Sequence, residues 1–276
     1  MSLSKQKKIA VVNDFTGFGR CSIAVALPII SAMKIQCCPL PTAILSAHTG
    51  FSSFFFDDYT SHMRDYINNW KELDLQFDGI STGFLGSKEQ IDVVVEFLKN
   101  FKTKDTIVMV DPVMGDNGQL YSTYTQEMCD EMKKLIKYAD VITPNLTETC
   151  RLLDIPYPER ELEPKELENI SRELCQKGPD RIVITGLQHS GNIRNFIYEI
   201  GKPYTMIEVK KIGEDRPGTG DVFSSIVSAN IVKGVDLVTA VKKASEFISK
   251  AIEYTGKIGT PVENGICFEE YLTELK

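Results

Sequence analysis

The chain contains the run Gly218, Thr219, Gly220, Asp221, after which Val222, Phe223, Ile226, Val227 and Ile231 recur at helical spacing. This pattern predicts a helix beginning at or just after Asp221. Two glycines let the backbone turn tightly and approach a ligand closely. A helix N-terminus behind such a turn offers free N–H groups and a positive dipole end to an anion. A carboxylate held beside that anion could take a proton from an attacking hydroxyl, which is the chemistry of phosphoryl transfer. The plainer alternative is a Gly-Asp turn that caps a helix, and four residues alone do not separate the two.

Two further clusters carry oxygen ligands. Asp111 and Asp116 flank the turn Pro112-Val113-Met114-Gly115, where proline stops a strand and glycine permits reversal. Carboxylates there suit Mg²⁺, which binds through one or two carboxylates plus substrate phosphates; otherwise they are solvated turn acids. In the second cluster Asn145 precedes Leu146, Thr147 and Glu148. Asn145 and Glu148 have the spacing of a capping box, and they could equally hold a metal's water shell. Residues 13–20 add a turn with two aromatics, Phe15 and Phe18, but Ser22 stands where a dinucleotide fingerprint needs its third glycine. The lysine-bearing phosphate loop of P-loop enzymes occurs nowhere. His48 is one of three histidines and falls in a polar loop, whereas His62 and His189 have no such setting.

These residues need a scaffold that brings them to one edge. Short β-rich runs at 8–13, 37–43, 77–82, 106–111, 140–143 and 181–185 alternate with amphipathic segments at 21–33, 58–71, 88–101, 125–138, 146–153 and 164–177. That order predicts an α/β fold, a mostly parallel central sheet flanked by helices on both faces. Residues 194–200 and 204–209 read as a hairpin on the sheet edge, and helices at 222–233 and 237–254 close the core. Asn13-Asp14, Ser46 to Thr49, Thr82-Gly83, Asp111, Thr143 to Asn145 and Thr185-Gly186 each follow a strand. In a parallel sheet those ends share one rim, where ligands bind.

With 276 residues, the chain suits a single α/β domain spanning 1–276. A formal net charge of −7 speaks against a nucleic-acid surface, though not against a nucleotide substrate. The seven scattered cysteines include no Cys-x-x-Cys, so neither a zinc site nor a disulfide framework is expected. The polar, basic N-terminal stretch leads into an apolar run at 9–12, too short for a signal peptide or a membrane span. A cytoplasmic protein with reduced thiols is the expectation.

The segments 42–50, 82–87, 111–116, 143–148 and 218–221, in this order, resemble the ribokinase-like superfamily and within it the pyridoxal kinase branch. The resemblance spans nearly the whole chain and implies a ribokinase-like three-layer sandwich. It implies transfer of the ATP γ-phosphate to the hydroxymethyl group of a vitamin B6 vitamer, with Mg²⁺ as the cofactor and a monovalent cation as a further candidate. By that likeness Asp221 is the catalytic base and Gly218, Thr219 and Gly220 form the anion hole. Thr185 and Gly186 lie near the nucleotide phosphates, and Asp111, Asp116, Asn145 and Glu148 organise cations. Asp14, His48, Thr49 and Phe84 face the pyridine substrate, and the protein is a homodimer.

This chain departs from the pattern at two places. Pyridoxal kinases often carry serine where Asp14 stands, and an aspartate there also resembles hydroxymethylpyrimidine kinases, which in turn frequently have Gly-Thr-Gly-Cys where this chain has Gly-Thr-Gly-Asp. Tyrosine is common where Phe84 stands, which leaves stacking without a ring hydroxyl. An acidic Asp14 would favour an amine-bearing ring such as pyridoxamine. The alternatives are a hydroxymethylpyrimidine kinase of thiamine metabolism and a silent vitamer-binding sensor, against which the retained Asp221 argues. A sugar kinase would carry an inserted β lid and an N-terminal Gly-Gly pair, and neither is found.

Overall fold

The computed structural model describes residues 6–276, so residues 1–5 of the basic N-terminal stretch lie outside it. Nine strands form the main sheet: β1 (Lys8–Thr16), β2 (Gln36–Leu45), β3 (Phe56–Asp58), β4 (Gly79–Thr82), β5 (Ile107–Val110), β8 (Val141–Ile142), β9 (Arg181–His189), β10 (Asn192–Glu199) and β11 (Thr205–Lys210). A separate two-stranded ribbon joins β6 (Gly115–Asp116) to β7 (Gln119–Leu120). The order across the main sheet is β11-β10-β9-β8-β5-β4-β1-β2-β3. The six central strands are parallel, and β3 and β10 run antiparallel to their neighbours.

The central strands are apolar on both faces because both faces are covered. On one side α2 (Thr60–Glu72), α3 (Lys88–Phe101), α4 (Gln126–Leu135), α5 (Leu146–Leu153) and α6 (Pro164–Cys175) enclose a core around Phe77, Phe97, Leu98 and Ile142. On the other, α1 (Ile23–Ala32), α7 (Thr219–Val232) and α8 (Leu237–Lys257) enclose a core around Ile9, Ile30, Val183 and Phe247. This is the α/β fold expected from the sequence, with helices on both faces of a mostly parallel sheet.

Every residue of α7 from Val222 to Val232 is buried. Three of its polar side chains bond back within the helix: Ser224 donates to the Asp221 carbonyl, Ser228 to the Ser225 carbonyl and Asn230 to the Ile226 carbonyl. Such a helix has no solvent face, so its N-terminus is fixed relative to the sheet. The chain leaves β1 through α1 to β2 in one direction and reaches β4 on the opposite side of β1 through α2 on the other face. The carboxyl ends of β1 and β4 therefore flank a topological switch point, the usual ligand position in an open α/β sheet.

The structure differs from the sequence expectation in several boundaries. The helix bearing Asp221 starts at Thr219, inside the glycine motif, because Gly218 takes the left-handed turn (φ 78°) and is the N-cap. A Cβ on Gly218 would also run into the Arg20 carbonyl oxygen. β9 continues beyond Thr185 to His189 because β10 pairs with it across Ser190 and Gly191. The edge strand β3 and the β6–β7 ribbon were not foreseen. Among the described residues no helix is long and apolar enough to cross a membrane.

Candidate active site

A cleft of about 960 Å³ opens along the carboxyl ends of the parallel strands. Asn13 lines it from β1, Ser22 from the β1–α1 connection, Phe84 from just beyond β4, and Asp111 and Asp116 from the turn after β5. Asn145, Glu148, Thr185, Gly186 and the whole of Gly218 to Asp221 complete the wall. Eleven of the fourteen residues singled out from sequence therefore line the same cleft: Phe84, Asp111, Asp116, Asn145, Glu148, Thr185, Gly186, Gly218, Thr219, Gly220 and Asp221; Asp14, His48 and Thr49 lie outside it.

The helix α7 makes its first backbone bond from the Val222 N–H to the Gly218 carbonyl. The N–H groups of Thr219, Gly220 and Asp221 thus have no partner within the helix and are placed to meet an anion. Asp221 is in this first turn. Its Oδ1 accepts from Asn13 Nδ2 at 3.1 Å, and the Ser22 N–H also supports the carboxylate. Burial, reinforced by the Asp14 carboxylate, pushes Asp221 up to about 6 in spite of those two donors. At a helix N-terminus alone the charged form would be favoured, so desolvation outweighs the dipole here. A carboxylate titrating near neutrality is a suitable general base.

Asp111 meets no such donors. Burial and the carboxylates of Glu148 and Asp221 hold it well above the usual range. Glu148 is buried, and its oxygens accept the Met114 N–H at 3.1 Å and the Asn145 N–H at 2.8 Å. Asn145 accepts the Glu148 N–H at 2.9 Å and donates to the Gly115 carbonyl at 2.8 Å. The capping box is therefore formed, and it stitches the 111–116 turn to the start of α5. Asp116 is exposed and accepts from the Asn117 N–H at 2.8 Å.

Among the described residues no three His, Cys, Asp or Glu side chains group closely enough to hold a metal by themselves. The donor set still fits a hard cation: Asp111 offers an uncompensated carboxylate in the cleft, with Asp116 on the same turn. Such a site would depend on a phosphate-bearing ligand to complete the coordination.

Two of the three residues off the cleft are engaged elsewhere. Asp14 is 6% exposed and its two oxygens accept from the hydroxyls of Thr16 and Ser22, each at 2.6 Å. His48 Nδ1 accepts the Gly50 N–H at 3.0 Å, so Nε2 carries the proton it shares with the Glu263 carbonyl at 2.7 Å. Its ring packs on Phe51 at 4.6 Å between centroids, and Thr49 is exposed in the same loop. At the far end of the cleft, Ile193, Met206, Val209, Ile212, Ile248 and Ile252 supply apolar walls that the sequence reading did not assign. They come from β10, β11, the loop after β11, and α8, and only the folded sheet edge brings them together. Asn13 was seen only as a polar strand end; the contact that marks it spans 208 residues of sequence.

The geometry is that of a phosphoryl-transfer site, and comparisons with known proteins agree. The phosphomethylpyrimidine kinase family matches residues 26–265. The hydroxymethylpyrimidine/phosphomethylpyrimidine kinase of Aquifex aeolicus (strain VF5) is 31% identical over 192 residues, covering 69% of this chain and 72% of that one. The pyridoxine kinase of Bacillus subtilis (strain 168) is 31% identical over 188 residues, 64% of each chain. A crystal structure from Bacteroides thetaiotaomicron VPI-5482, assigned as a phosphomethylpyrimidine kinase, superposes with a TM-score of 0.96 at 42% identity, covering 100% of this chain and 96% of that one. A second crystal form of it, with pyridoxal, gives 0.94 at 41% identity, covering 98% and 96%. A helix start with free N–H groups beside a buried carboxylate, in a chain matched over most of its length, belongs to a kinase of the phosphomethylpyrimidine kinase family.

Proposed function

We propose that the protein transfers the γ-phosphate of ATP to the 5′-hydroxymethyl group of a vitamin B6 vitamer, a pyridine alcohol. The observation that carries the transfer step is Asp221, a carboxylate pushed up to about 6 in the first turn of an anion-binding helix. In this reading Asp221 takes the proton from the substrate hydroxyl as its oxygen attacks phosphorus. The free N–H groups of Thr219, Gly220 and Asp221 meet the charge that builds on the transferred group. The nucleotide lies toward Thr185, Gly186 and the apolar walls of Ile248 and Ile252, and the ring toward Asn13 and Phe84. Asp111 and Asp116 would hold Mg²⁺, which supplies charge neutralisation on the phosphates.

The pyridine assignment is supported by the pyridoxal held in the Bacteroides relative and by Asp221 in place of the cysteine common in pyrimidine kinases. A second reading, a hydroxymethylpyrimidine kinase, is favoured by the family match and the Aquifex relative. Turnover with ATP and Mg²⁺ against pyridoxal, pyridoxamine, pyridoxine and hydroxymethylpyrimidine separates them. The highest kcat/KM should fall on a vitamer; a preference for the pyrimidine overturns the B6 assignment. A homodimer belongs to the same reading and is checked by light scattering on the purified protein.

A further inference from the structure

We infer that Asn13 is a positioning residue for the base, holding the Asp221 carboxylate through a side-chain amide whose orientation the backbone fixes. Asn13 is 6% exposed, at the carboxyl end of β1 beside the switch point. Its Oδ1 accepts two backbone N–H groups, that of Asp14 at 3.0 Å and that of Phe84 at 2.9 Å. With the oxygen committed twice, the amide cannot flip, and Nδ2 must point at Asp221 Oδ1, 3.1 Å away. Gly83 makes room for this amide: a Cβ there would sit 2.5 Å from Nδ2 and 2.8 Å from Oδ1.

The arrangement does two things. It occupies one carboxylate oxygen with a neutral donor, so the carboxylate cannot rotate freely and its other oxygen remains to meet the substrate hydroxyl. It also ties the base to the start of the Phe84 segment through one rigid amide. A wall that the ring would touch and the group that deprotonates its hydroxymethyl are thereby held in register. Ser22 contributes from the same connection; its backbone takes φ 58° and ψ −136°, a strained combination for a non-glycine residue, while its N–H supports Asp221.

The inference rests on the kinase reading, and its test is a double-mutant cycle run on whichever alcohol the wild type phosphorylates. Asn13→Ala should lower kcat about 10- to 100-fold, the range for losing a hydrogen bond to a charged group, with ADP affinity unchanged. In the Asp221→Asn background the same change should cost less than about 2-fold, since the group it positions is gone. Asn13→Asp keeps the acceptor that both backbone N–H groups need but sets a second carboxyl against Asp221 Oδ1, so it should lose kcat and move the acid limb of the pH–rate profile upward. Gly83→Ala should reproduce the loss by displacing the amide. Losses that multiply in the Asp221→Asn background, or an Asn13→Asp enzyme with wild-type kcat, overturn the inference. Absence of vitamer turnover by the wild type is a separate result that bears on the B6 assignment alone.

Discussion

Replacing Asp221 by Asn should make the protein more stable and nearly inactive. Burial raises this carboxyl from 3.8 to about 6, with Asp14 adding to the shift. About two units correspond to ~3 kcal/mol at 1.36 kcal/mol per unit. The side chain keeps some surface on the cleft, and an amide cannot accept from both the Ser22 N–H and Asn13 as a carboxylate does. Those two effects reduce the gain to ~1–2 kcal/mol. The native state binds this proton more tightly than the unfolded chain, so stability rises as pH falls through about 6, and the penalty is complete above that. Asn removes the penalty where it exists. Thermal melts in EDTA, without nucleotide, should show Tm higher by about 2–4 °C at pH 7.5 and by about half as much at pH 5. Turnover should fall by about 10²–10⁴, as expected for loss of a general base. A Tm that drops at pH 7.5, or a gain equal at both pH values, would refute the claim that desolvation dominates at this carboxylate.

Wild-type kcat should decline as pH falls below about 6, the value to which burial pushes Asp221, and a pH–rate profile without that limb would remove it as the base. Gly218→Ala should cost more than ~2 kcal/mol and abolish transfer, because φ is 78° and the methyl meets the Arg20 carbonyl; urea melts and an activity assay check it. Glu148→Gln disturbs the acceptors of the Met114 and Asn145 N–H groups, so it should raise the Mg²⁺ concentration for half-maximal rate more than the vitamer KM; an unchanged titration would leave Glu148 as a helix cap alone. Asp14→Ser should reduce kcat/KM for pyridoxal and pyridoxamine alike, since Thr16 and Ser22 hold both carboxylate oxygens; a larger loss for pyridoxamine would mean that the charge reaches the ring substituent.

Most of the sheet was legible because its strands are short apolar runs between polar punctuation, and each run ends in a residue that now stands on or near the cleft rim. What escaped lacks that pattern. Phe56, Asp57 and Asp58 are all exposed, so β3 shows no alternation of buried and solvent-facing positions. The β6 and β7 strands have two residues each, too few for any periodicity. The start of α7 was misplaced because glycine reads as a breaker, whereas Gly218 alone makes the turn and Gly220 lies inside the helix. His48 was marked by its loop, but its two ring nitrogens are spent on Gly50 and Glu263, a pairing across 215 residues that no local pattern reveals.

The carboxylates also explain why so much packing surrounds so small a site. Asp14, Asp111, Glu148 and Asp221 are all raised, each by burial first, with Asp111, Glu148 and Asp221 raised further by neighbouring carboxylates. Among the described residues no lysine or arginine forms an ion pair with any of the four. A fold selected only for stability would pair or remove these charges. Here the buried helix α7 and the two apolar cores hold them in place without such pairing. The start of α7, with its free N–H groups, sits beside them. On the proposed kinase reading, a polyphosphate brought in alone would meet these carboxylates, whereas one carrying a cation would relieve them, so the electrostatics would favour the metal-bound form of the nucleotide.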